Sequence, residues 1–204
     1  MKILGLILAG GHSSRMGRDK ADLEFCGQSL IENQISKLIN YGLPAVVSSN
    51  TLEQFCFPDI PVLRDPADVK YGGPLAGIYA GLHYGHHIGY DFILTMPVDC
   101  PIIPDDFFTN MTKNLNKNNG FRIAATPSGL QPTFALWPTD LKGELYNFLA
   151  GSKNNSIRSF AFAHNVSIVR FDNVYSEGAF FNVNTPEDYR YLQENFGIKD
   201  ERKF

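Results

Sequence analysis

ILGLILAGGHSSRMGRDK, Ile3 to Lys20, decides how the rest of this 204-residue chain is read. Lys2 to Leu8 is a nearly continuous apolar run, the pattern of a strand buried on both faces of a parallel sheet. It leads directly into a stretch holding Gly10, Gly11 and Gly17 together with Arg15, Arg18 and Lys20. Glycines let the backbone turn tightly and approach a ligand, and gathered cations draw an anion to the same place. In an open α/β sheet, the carboxyl end of such a strand is where ligands bind. A plain strand-to-helix connection takes ~2 to 6 residues, so the length of this loop points to a ligand, and a polyphosphate fits it. The dinucleotide G-x-G-x-x-G and the Walker G-x-x-x-x-G-K-[ST] both fail here, because five residues separate Gly11 from Gly17 and Arg18 follows Gly17.

Composition narrows the class. A hydrophobic content of 44% with 19% charged residues is ordinary for a globular protein, and the length predicts one domain spanning 1–204. A net charge of -3 and a pI near 5.9 argue against a nucleic-acid or anionic-membrane binder, whose footprint would be basic. The relevant cations sit in one loop instead, which favours a small anionic ligand. Cys26, Cys56 and Cys100 are odd in number, widely spaced and without a C-x-x-C pair, so a reduced, cytoplasmic protein without structural zinc is expected. The N-terminal apolar run is too short for a secretion signal, and no window reaches the ~18 apolar residues that span a bilayer.

Local signals order the chain as alternating strands and helices, hence a mostly parallel sheet with right-handed crossovers. Ser29 and Glu32 form a capping box ahead of Leu30, Ile31, Ile35, Leu38 and Ile39 at helical spacing, with Gly42 and Pro44 ending the helix. Ala45 to Ser49 and Val62 to Leu63 are strands. Pro74 opens a helix to about His86, in which Gly77 and Gly81 leave a smooth face for packing on the sheet. Asp91 to Met96 is a strand, Asp105 to about Asn116 a helix, and Phe121 to Ala125 and Pro132 to Trp137 are strands, the second antiparallel and at an edge. Pro138 to His164 holds two helices and is a candidate inserted lobe. Val166 to Phe171 is a strand, and Thr185 with Asp188 caps a last helix that begins at Pro186 and ends near Phe196.

Candidate site residues fall at the ends of these elements. Asp99, in Pro97-Val-Asp-Cys-Pro101, sits past a buried strand between two prolines, a constrained carboxylate suited to Mg²⁺, which usually takes one or two protein carboxylates plus water and phosphates. Asn50, at the end of its strand, reads first as a turn residue and second as a ligand. Asn182 and Asn184 are not needed as caps, since Thr185 does that, and can offer amides to an anionic ligand. The five histidines form no triad and no H-E-x-x-H. Residue chemistry alone thus reaches a Mg²⁺-dependent reaction at a nucleoside triphosphate.

Leu8 to Lys20 resembles, almost residue for residue, the L-A-G-G-x-S-S-R-M-G-x-D-K signature of the molybdenum cofactor guanylyltransferases, within the nucleotidyltransferases. Asp65 followed by G-G-P-L-A-G-I over 72–78 resembles that family's second block, and FNVNTPEDY, Phe181 to Tyr189, matches the later part of its closing F-x-N-x-N-T-P-E-D. The resemblance implies a three-layer Rossmann-like α/β fold with a mostly parallel central sheet and helices on both faces. Its N-terminal half would bind nucleotide and its C-terminal half the pterin substrate. The implied reaction moves GMP from GTP to molybdenum-bearing molybdopterin and releases pyrophosphate. It implies Arg15, Lys20 and Asp99 as catalytic; Leu8, Ala9, Gly10, Gly11, Lys20, Asn50, Asp65, Gly73 and Asp99 as nucleotide-binding; Asn182 and Asn184 for the pterin; and Mg²⁺ on Asp99. The expected partners are GTP and molybdopterin, with transient contact to cofactor-delivery proteins or acceptor molybdoenzymes, no nucleic acid and no membrane; the enzyme is expected to be a monomer. The competing readings are a cytidylyltransferase acting on molybdopterin or a sugar or polyol phosphate, whose relatives show L-A-A-G here, and a non-catalytic GTP- or pterin-binding adaptor.

Overall fold

The computed structural model describes residues 1–10, 20–51, 57–66, 73–116, 120–151, 156–172 and 178–197. In chain order its elements are β1 (Ile3–Leu8), β2 (Glu24–Phe25), β3 (Gln28–Ser29), α1 (Leu30–Asn40), β4 (Ala45–Ser48), β5 (Val62–Leu63), α2 (Pro74–His87), β6 (Phe92–Pro97), α3 (Phe107–Thr112), β7 (Arg122–Thr126), β8 (Gly129–Pro138), α4 (Lys142–Gly151), α5 (Ile157–Ala163), β9 (Ser167–Arg170) and α6 (Pro186–Phe196). Among the described residues the main sheet has the strand order β5-β4-β1-β6-β8-β7-β9. β1 runs parallel to both β4 and β6, and its Leu4, Leu6 and Ile7 are buried, as the apolar run predicts.

The sheet is covered on both faces. On one, Leu30, Ile31, Ile35 and Leu38 of α1 pack with Phe107 and Met111 of α3 and Leu192 of α6. On the other, Leu75, Ile78 and Leu82 of α2 pack with Leu145 of α4 and Phe160 of α5. Three layers result, with a mostly parallel sheet between helices. Ile39 departs from its expected place in the α1 stripe and is 56% exposed.

Capping fixes where the helices begin. At α1 the Ser29 N–H and hydroxyl both meet Glu32 Oε2, at 2.8 and 2.7 Å, and the Glu32 N–H donates back to Ser29 Oγ. Those donors hold the Glu32 carboxyl below its ordinary range. At α6 the same box joins Thr185 and Asp188.

Three expectations change. β8 is antiparallel as predicted, but it is internal, bonded to β6 on one side and β7 on the other, while β9 takes the edge. Its ten residues are long enough to serve two ladders after the tight turn at Pro127-Ser128. α3 stops at Thr112 instead of running to Asn116: Lys113 turns extended, Asn114 adopts φ 52°, and the buried Arg122 guanidinium takes the carbonyls of Met111, Lys113 and Asn114 that would otherwise continue or close the helix. Burial also lowers that guanidinium's pKa. Pro138 to His164 is no separate lobe, because Leu145, Leu149, Ile157 and Phe160 are core residues under the same sheet as α2.

α2 lies unusually close to the sheet. A Cβ on Gly77 would overlap Ser48 Oγ, and one on Gly81 would overlap Leu6 Cδ2. Gly77→Ala is therefore expected to cost about 1–3 kcal/mol through overpacking. Adding Ser48→Ala removes the overlapping oxygen and should recover most of that loss in chemical denaturation; equal stability of the single and double variants would refute the contact.

Candidate functional site

The carboxyl edge of the parallel strands gathers most of the sequence candidates. Past the end of β1, the Ala9 N–H donates to Ser48 O at 2.9 Å, and Leu8 O accepts from the Val98 N–H at 3.1 Å. These bonds tie the first strand to the ends of β4 and β6 just as the glycine loop begins. Gly10 is exposed, and among the described residues no neighbouring atom lies within 4 Å of where its Cβ would be. Gly73 caps α2 at φ 112°, a left-handed conformation that favours glycine, and Pro74 fills the first helical position. Gly11 and Arg15 lie outside the described residues.

Asn50 and Asp65 meet at the ends of β4 and β5. Asn50 Nδ2 donates to Asp65 Oδ2 at 2.8 Å, and the Asp65 N–H donates to Asn50 Oδ1 at 3.1 Å. The reciprocal pair fixes which way each side chain points, and among the described residues it uses only one oxygen of the carboxylate.

On the other side of β1, Lys20 Nζ donates to Asp99 Oδ2 at 2.9 Å and to Asn184 Oδ1 at 2.7 Å. Both ends of this ion pair are partly open to solvent, 17% and 22% exposed. The closing segment is sewn to the Asp99 turn by the Val183 N–H, which donates to Asp99 O at 2.8 Å. Buried Val183 lies between exposed Asn182 and Asn184. Asp188 Oδ2 accepts from the N–H groups of Asn184 and Thr185, both at 2.9 Å. Burial pushes the Asp188 carboxyl upward, but those donors, the Thr185 hydroxyl and the nearby Lys20 charge outweigh it and hold the group below its ordinary range.

Beneath the Asp99 turn lies a residue that sequence reasoning missed. Gln34 of α1 is fully buried, and its Nε2 donates to Pro97 O at 3.2 Å and to Cys100 O at 2.6 Å. Its signal was an amide set within the apolar stripe of Leu30, Ile31, Ile35 and Leu38. Nearby, burial lowers the Lys37 ammonium to about 8 and raises the Cys100 thiol well above its usual value, with the Asp99 charge adding to the second effect.

The donor set suits a hard divalent cation. Oxygens of Asp99 and Asn184 converge on one point, now filled by the Lys20 ammonium, and carboxylate and amide oxygens are the ligands that Mg²⁺ or Mn²⁺ prefers. Among the described residues no three His, Cys, Asp or Glu side chains gather as a metal cluster, here or elsewhere, and no helix is long and apolar enough to cross a membrane.

The MobA-like NTP transferase domain matches residues 5–167. A molybdenum cofactor guanylyltransferase from Rhizobium leguminosarum bv. trifolii (strain WSM2304) is 34% identical over 192 residues, 92% of this chain and 90% of that one. Of solved structures, molybdopterin-guanine dinucleotide biosynthesis protein A from Archaeoglobus fulgidus superposes with a TM-score of 0.73 at 22% identity, covering 95% of this chain and 97% of that one. A Mycobacterium tuberculosis protein in complex with manganese superposes at 0.70 and 15% identity, covering 96% of this chain and 100% of that one. The two structural likenesses speak for the fold.

Proposed function

The chain belongs to the MobA-like NTP transferase family, and on that premise we propose that it transfers GMP from GTP to the terminal phosphate of molybdenum-bearing molybdopterin. An oxygen of the pterin phosphate attacks the α-phosphorus of GTP, the bond from that phosphorus to the bridging β-phosphate oxygen breaks, and pyrophosphate leaves with that oxygen's electron pair. The products are the guanine dinucleotide cofactor and pyrophosphate. One observation carries the reading: Lys20 from the end of the glycine loop, Asp99 from the end of β6 and Asn184 from the closing segment share one set of contacts, at 2.9 and 2.7 Å.

In this reading catalysis is positioning and charge neutralisation, with no covalent enzyme intermediate. Backbone N–H groups around Gly10, Gly11 and Gly73 hold the nucleotide, Lys20 and Arg15 offset the triphosphate charge, and Asp65 with Asn50 faces the base. Asn182 and Asn184 face the pterin. Asp99 would hold Mg²⁺, which when bound neutralises phosphate charge. The substrates are GTP and molybdopterin. The enzyme acts as a cytoplasmic monomer that meets delivery proteins or acceptor molybdoenzymes only in passing.

Pyrophosphate release measured with the purified chain, Mg²⁺ and molybdenum-loaded molybdopterin tests this. GTP should be preferred over CTP by about 100-fold or more. A preference for CTP would make the protein a cytidylyltransferase, and no release from either would leave a binding protein.

A further inference from the structure

Asp99 is held by its main chain, and the tethers differ in kind. Val98 is bonded to Leu8 O, and Asp99 O to the Val183 N–H, so both of these contacts run to segments that carry site residues themselves. The third tether comes from below the sheet edge, where the single amide nitrogen of Gln34 bonds the carbonyls of Pro97 and Cys100, which bracket Val98 and Asp99. Gln34 sits on the core-facing side of α1 with no exposed surface.

Placing an amide there is costly. Among the described residues its Oε1 is buried with no hydrogen-bond partner, a deficit worth about 1–3 kcal/mol. Turning the amide over would set that oxygen against two carbonyl oxygens, so the orientation is fixed, and an apolar side chain would fill the α1 stripe without the deficit. We propose that Gln34 is a positioning residue for the reaction: it clamps the Pro97–Cys100 turn from α1 and so fixes where Asp99 presents its carboxylate to the cation and to Lys20. This rests on the assignment of Asp99 as the metal-holding residue of the transfer reaction. Groups that orient a ligand from behind commonly matter by 10–100-fold in metal affinity or activity.

The test compares the native chain with Gln34→Met, which keeps length and apolar packing but removes both bonds. In protein shown by circular dichroism to be folded, the rate at saturating GTP should fall by about 10–100-fold, and the Mg²⁺ concentration for half-maximal rate should rise by a similar factor, with KM for GTP nearly unchanged. Mn²⁺ titration followed by electron paramagnetic resonance reads the same weakening without turnover. Gln34→Glu supplies a second handle. Its carboxylic acid donates one bond when protonated and repels both carbonyls when ionised, so its activity relative to the native chain should rise, not fall, as the pH is lowered. Native rate and metal dependence in folded Gln34→Met would reduce Gln34 to a partner for two buried carbonyls and overturn the proposal. Failure of the native chain itself to release pyrophosphate would overturn the reaction instead, leaving the Mn²⁺ comparison to judge Gln34.

Discussion

Replacing Asp99 with asparagine should lower pyrophosphate release from GTP by about 10³-fold, the rate equivalent of about 4 kcal/mol, while the protein stays folded. The two halves of that expectation come from different atoms. The fold uses the Asp99 main chain, whose carbonyl accepts from Val183, and that bond survives the substitution. The carboxylate contributes only a partly exposed ion pair with Lys20, of a kind worth about 0–1 kcal/mol. Lys20 keeps its second acceptor, Asn184 Oδ1, so no cation is stranded. The reaction, in contrast, needs a negative oxygen for a hard cation, and a neutral amide binds such a cation far more weakly. Thermal unfolding should therefore shift by no more than a few degrees, and added Mg²⁺ should not restore the native rate. Activity within tenfold of native would remove Asp99 from the metal's coordination.

What could be read in advance divides along the range of the signal. β1 announced itself by an uninterrupted apolar run, α1 and α6 by capping boxes whose two members lie three residues apart, and α2 by Pro74 at its first turn. All four are local, and the structure has them close to where they were expected. The misplaced elements depend on distant partners. β8 is internal because β7 and β6 both bond it, and α3 is short because Arg122, eight to eleven residues further along, takes its last carbonyls. The candidate site shows the same division. Lys20, Asp99 and Asn184 were singled out as residue types within motifs, yet their contacts span 79 and 164 residues, and nothing in the chain's local pattern predicts that one ammonium would join them. Gln34 was passed over because the α1 stripe was traced through its apolar side chains alone, and a buried amide at the same spacing belongs to no motif. Gly11 and Arg15 lie outside the described residues, so the cationic half of the glycine loop rests on its sequence.

Nucleotide choice should turn on Asp65. Guanine offers its N1–H and its amino group as donors along one edge, and only an acceptor placed opposite can read them. Asp65 is fixed at the end of β5 by Asn50, which takes one carboxylate oxygen at 2.8 Å and receives the Asp65 N–H at 3.1 Å. In Asp65→Asn, the new amide must keep its oxygen toward Asn50 Nδ2 to preserve that bond, which turns its own NH₂ toward the base, donor against donor. A site built on such pairs loses discrimination severely when they are broken, so kcat/KM for GTP should fall by about 10²–10⁴-fold. CTP presents a different edge and should lose little, which brings the GTP-to-CTP ratio toward unity. Because the pair is at the surface, the melting temperature should hardly move. The pattern across nucleotides decides the matter: an equal loss with GTP and CTP would assign Asp65 to the phosphates or to the shape of the loop, and no loss with either would move guanine recognition to the backbone at Leu8 or to Asn50.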